Sequence, residues 1–180
     1  MMRDPHPART LTRQGPSPGL ALLLLLGLVF ACTSAKQEQH SVAQDLKSYV
    51  TAIKQWEPKE KIVLAALARV KKSYYADDDF VIRTLRDSLP TTHDLIADVE
   101  KFEPVTMDVQ QLQQKYLQGW KDLESSMGDV VGSLQRKDYV ALAKAKNQLE
   151  TAQAEVFTSY AMLDDLLEMH DESLKSLRKS

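Results

Sequence analysis

The chain has one cysteine, Cys32, which excludes an intramolecular disulfide and the Cys-x-x-Cys-His attachment of a c-type haem. Turn-forming residues are also scarce. Beyond residue 31 only Gly119, Gly128, Gly132, Pro58, Pro90 and Pro104 remain, beside many Ala, Leu, Lys, Gln and Glu, a composition that suits long helices with few connections. Charge of one sign is lacking. The same residues carry 20 Lys and Arg against 24 Asp and Glu, a formal charge of −4, so the basic footprint of a nucleic-acid binder is missing. No run reaches the roughly 20 apolar residues that a membrane-crossing helix needs. Even Ile62 to Val70 carries Arg69.

What stands out instead is Leu20 to Phe30, eleven apolar residues ending just before Ala31 and Cys32. Eleven is too short to span a bilayer and falls within the roughly 7–15 residues of a secretion-signal core. Arg3, Arg9 and Arg13 against Asp4 make the preceding segment positive, as such signals require. Pro16 and Pro18, with Gly15 and Gly19, keep the apolar helix from extending backwards. The arginines are not paired, so export in a folded state has no support.

Val29-Phe30-Ala31-Cys32 resembles the lipobox of bacterial lipoproteins: an aliphatic residue, a variable one, a small one, then cysteine. The resemblance covers about thirty residues. It implies a signal peptide of residues 1–31, removed on export, and a Cys32 that is acylated (the lipidation that palmitate labelling detects) and becomes the mature amino terminus. Thr33 stands where an aspartate commonly marks inner-membrane retention in Gram-negative lipoproteins, so the family rule points to the outer membrane, facing the periplasm. The alternative is ordinary secretion of a soluble protein, because Val29 and Ala31 also satisfy the small-residue rule of a conventional signal cut.

After Cys32, residues 33–40 form a short polar tether reaching at most about 28 Å. Ser41 with Gln44 makes a capping box, and Val42, Leu46, Tyr49, Ile53, Trp56, Val63, Leu67, Val70 and Tyr74 form a stripe spaced by threes and fours. The spacing predicts a first helix over 41–75, kinked at Pro58. Asp77-Asp78-Asp79 invites a calcium reading, but glycine at the sixth position and glutamate at the twelfth are missing, and capping of a helix explains the run. Val81, Leu85, Leu89, Leu95, Val99 and Phe102 predict a second helix that Pro90 breaks or bends, with a restart at Thr91 and Asp94.

Phe102-Glu103-Pro104 echoes Trp56-Glu57-Pro58 at a shift of 46 residues, through a worn duplication or through similar patterning alone. The weaker helix formers Val105 and Thr106 predict a turn after Pro104, with Thr106 as a cap. Val109, Tyr116, Leu123 and Val130 then recur every seventh residue, as do Leu142, Leu149, Val156, Leu163, His170 and Leu177. Small residues follow three places later: Gly119, Ser126 and Ser133, then Ala145, Ala152 and Ser159. This coiled-coil-like pattern predicts a third helix over 106–135 and a fourth over 138–177, closely packed as a hairpin across Gln135-Arg136-Lys137-Asp138.

The fold expected is therefore all-α: one elongated antiparallel bundle of about four long helices over 41–180, with no β-sheet. Its chemistry is sparse. A di-iron bundle needs Glu-x-x-His twice, but Gln37, Pro90 and Leu167 stand three residues before His40, His93 and His170. His170 lies on the apolar stripe, and non-covalent haem ligation by it lacks an assignable second ligand. No nucleophile elbow, phosphate loop or zinc motif is present. No metal, cofactor or catalytic residue is assigned, and Cys32 is the only site residue. The expectation is a lipid-anchored envelope protein whose bundle binds or scaffolds a protein partner. Two alternatives are a bundle that binds a small ligand or haem, and a structural spacer or coiled-coil oligomer.

Overall fold

The computed structural model describes the backbone of residues 18–74 and 76–171, and side chains from Ser41 onward within them. These residues form an antiparallel four-helix bundle with no β-strand among them. The helices are α1 (Pro18–Val70), α2 (Asp78–Glu100), α3 (Met107–Gln135) and α4 (Tyr139–Met169). The chain divides into two units, Met1–Glu38 and Gln39–Ser180. The first contributes the backbone of α1 from Pro18, and the second holds the bundle.

α1 does not begin at Ser41, as its capping box suggests, but runs from Pro18 through the tether. The tether holds Ala35, Lys36, Gln37, Glu38 and Gln39, all good helix formers, so nothing in it stops a helix. α1 also continues through Pro58, and α2 continues through Pro90 instead of restarting at Thr91. Both prolines are exposed, as are Lys54 and Arg86, whose carbonyls lose their helical donors. Water satisfies carbonyls on that side, so the missing bonds do not end either helix. Pro104, by contrast, lies in the α2–α3 loop, so the two similar corners differ as their following residues predict.

The helix ends obey local chemistry. Asp77 caps α2 by accepting a 2.9 Å hydrogen bond from the Phe80 amide, which accounts for the acidic run. Asp138 does the same for α4 through the Ala141 amide. Between α3 and α4 the Asp138 amide reaches back to the Ser133 carbonyl and Lys137 takes a φ of 55°, a left-handed position usually given to glycine. α1 ends at Val70, five residues earlier than its stripe suggests, where the Ser73 amide bonds to the Val70 carbonyl and tightens the chain into a turn. α4 ends at Met169, and Leu177, the last anchor of its heptad, lies outside the described residues.

The core follows the heptads. Val109, Tyr116, Leu123 and Val130 of α3 and Leu142, Leu149, Val156 and Leu163 of α4 are all buried. So are the small residues Gly119, Ser126, Ser133, Ala145, Ala152 and Ser159. They let the two backbones touch: a Cβ placed on Gly119 would lie 3.0 Å from the Val156 amide nitrogen. α1 is held differently, by large side chains such as Tyr49 and Trp56 that reach inward from it.

Candidate functional site

Cys32, the one site residue expected from the sequence, falls on the backbone of α1. Its side chain lies outside the described residues. The described part contributes two carboxylates that sequence reasoning missed.

The first is Glu60. Trp56 and Val63 face the core from α1, and Glu60, four residues after one and three before the other, must share their face. It is 4% exposed. The Tyr116 hydroxyl of α3 donates to its Oε1, and the Tyr160 hydroxyl of α4 donates to its Oε2. One carboxylate thus ties three helices together. Burial pushes the Glu60 carboxyl above the usual carboxylate range, the Tyr160 hydrogen bond opposes that shift, and the charge of Glu57 adds to it. Burial likewise raises Tyr160 and Tyr49, and the Glu60 charge raises both further.

Aromatic rings surround this carboxylate. Trp56 stacks on Tyr116 at 5.8 Å between centroids, and Tyr116 meets Tyr160 edge-on at 6.0 Å and Trp120 at 6.1 Å. Tyr49 and Phe102 close the other side, 5.4 Å apart. The Tyr49 hydroxyl and the Trp120 indole nitrogen are buried there with no hydrogen-bond partner.

The second carboxylate is Asp45, also buried, three residues after Val42 and four before Tyr49 on the same face of α1. Its Oδ2 accepts from the Val105 amide at 2.9 Å, the Thr106 amide at 2.7 Å and the Thr106 hydroxyl at 2.7 Å. Thr106 occupies the cap position of α3, as expected, but its hydroxyl bonds to Asp45 and not to its own helix. Asp45 therefore latches the α2–α3 loop to α1.

Metal-ligating groups do not converge among the described residues. His170 caps the end of α4 and is half-buried there. His93 sits on the surface of α2, with its Nδ1 3.3 Å from Glu124 of α3. No described helix is long and apolar enough to cross a membrane. On the outer side of the α3–α4 hairpin a polar groove is lined by Asp122, Ser126 and Asp129 on one helix and Lys144, Thr151 and Glu155 on the other.

No family model, curated protein or solved structure matches the chain. Its chemistry therefore rests on its own residues. Glu60 has an occupied hydrogen bond on each oxygen and Asp45 has three on one, so both carboxylates are engaged in holding helices together. The hairpin groove is one of the open concavities on the surface of the described residues, and its charged lining is mostly acidic.

Proposed function

We propose that the chain is a lipoprotein, acylated at Cys32, that holds its four-helix domain at the periplasmic face of the outer membrane and binds another envelope protein along the α3–α4 hairpin. The observation that carries this reading is the eleven-residue apolar run ending at Val29-Phe30-Ala31-Cys32, too short to span and placed where a lipobox stands. Acylation explains why an exported chain carries a single odd cysteine. The partner surface follows from the groove, where Asp122, Asp129 and Glu155 face a single Lys144 and suit a polar segment of net positive charge.

Convergent polar groups such as those around Glu60 are also what a ligand-binding bundle would need. Here each Glu60 oxygen already accepts a tyrosine hydroxyl, so the protein-partner reading stands ahead of it.

Two measurements test the proposal in the intact envelope. Wild type should incorporate radioactive palmitate, and Cys32→Ser should remain an unlabelled, uncleaved precursor. Equal processing of both, with no label in the wild type, would refute the anchor. A photoreactive residue replacing Thr151 in the groove should crosslink one discrete protein, while the same residue at exposed Arg86 on α2 should not. Equal capture at both positions, or none at Thr151, would refute the groove as the partner surface.

A further inference from the structure

Contact between Gly119 and Val156 sets the register of the antiparallel hairpin: residues of α3 and α4 whose numbers sum to 275 lie level. That register brings Met169 level with Thr106, at the end of the bundle where α3 begins. Asp45 binds the Val105 and Thr106 amides, so the first residues of the bundle's α1 segment lie at the same end. Three large apolar side chains point into solvent there: Val105 is 79% exposed, Met107 71% and Met169 69%. Scattered exposed apolar residues need no explanation, but three at one end do.

The chain itself names the occupant. Ser41, which opens this end, follows Cys32 by nine residues, and the eight between them reach at most about 28 Å. An acylated Cys32 therefore keeps this end of the bundle within that reach of the bilayer. From Met169 the sequence runs on through Asp171 and Glu172 to Lys175, Arg178 and Lys179, a formal charge of +1. Glu103 and Asp108 flank the exposed loop and limit its entry to the apolar tips.

We infer that Val105, Met107 and Met169 form a foot that seats the bundle on the bilayer carrying its anchor, at the boundary of headgroups and acyl chains. The inference rests on the acylation of Cys32 proposed above. It implies that the opposite end, with exposed Val140 at the start of α4, faces away from the membrane.

The test uses full-length protein extracted from membranes and reconstituted in phosphatidylethanolamine–phosphatidylglycerol vesicles, with an environment-sensitive fluorophore on Val105→Cys, Met107→Cys, Met169→Cys or Val140→Cys. Acylation blocks Cys32, and the four positions are exposed enough to label without disturbing the core. Labels at 105, 107 and 169 should be quenched by spin-labelled lipid and be several-fold less accessible to aqueous iodide than the label at 140. Equal accessibility at all four overturns the foot and leaves the anchor standing. Protection from iodide without quenching by lipid means that protein covers this end, and also overturns it. A free Cys32 thiol that takes up the fluorophore refutes the anchor, and the foot with it.

Discussion

Replacing Gly119 by alanine tests the packing of the bundle more sharply than any polar substitution, because α3 carries its own control. Alanine is favoured over glycine inside a helix by about 0.8–1.0 kcal/mol, and that gain applies equally at Gly119 and Gly128. The surroundings differ. A Cβ at Gly128 meets nothing within 4 Å. At Gly119 it would meet Val156 Cγ2 and the Val156 amide nitrogen, both at 3.0 Å, and the Glu155 carbonyl carbon at 3.4 Å. Backbone atoms cannot swing aside, so α3 and α4 must separate, and overpacking of this kind costs about 1–3 kcal/mol. Gly128→Ala should therefore stabilise the protein by about 1 kcal/mol, and Gly119→Ala should fall about 1–3 kcal/mol below it. Gly132→Ala should resemble Gly128→Ala, since its only close neighbour is the guanidinium of Arg136, which can move. Urea titration followed by far-ultraviolet circular dichroism reads all three, provided the slope of the transition is unchanged. Equal shifts of the midpoint for Gly119→Ala and Gly128→Ala would refute the close approach of the two helices.

Three further predictions concern the buried polar groups and Lys137. Asp45→Ala strands two amides and a hydroxyl at the α2–α3 loop and should cost about 2 kcal/mol, with faster hydrogen exchange at Thr106; Asp45→Asn, which keeps an acceptor, should cost less. Glu60 has a folded-state pKa raised above its unfolded value, so its stabilising contribution is full below the unfolded value of 4.5 and is lost as pH rises through the folded one. Glu60→Gln should remove that loss, so that stability measured by urea titration across this range falls less steeply with pH than in the wild type; parallel profiles would refute it. Lys137→Gly should raise stability by about 1 kcal/mol, because φ of 55° strains a residue with a Cβ, and an unchanged melting temperature would contradict the strain.

What was legible in the sequence was periodic. The α3 and α4 heptads, with small residues three places after each anchor, correctly placed the hairpin and its buried faces as far as Leu163, because packing at that spacing depends on little else. The Asp77 run was legible as a cap, since capping is local. Helix boundaries read from single signals fared worse. Ser41 has the chemistry of a cap, yet helix-forming residues precede it and α1 passes straight through. Pro90 has the chemistry of a breaker, yet it sits on the wet side of α2, where a lost bond costs little. Glu60 and Asp45 were hidden for the opposite reason. Charged residues usually face solvent, and their partners lie more than fifty residues away on other helices. Their positions three and four residues from buried anchors were the available signal.

The proposed anchor is a lipid on Cys32 that holds this bundle at a membrane. The intact mass of the protein extracted from native membranes tests it most directly. An acylated anchor requires a chain beginning at Cys32, heavier than its sequence by a diacylglyceryl group and, where the amino terminus is also modified, a further acyl chain. A chain that begins at Cys32 with a free thiol, or that retains the Leu20 to Ala31 segment, would contradict it.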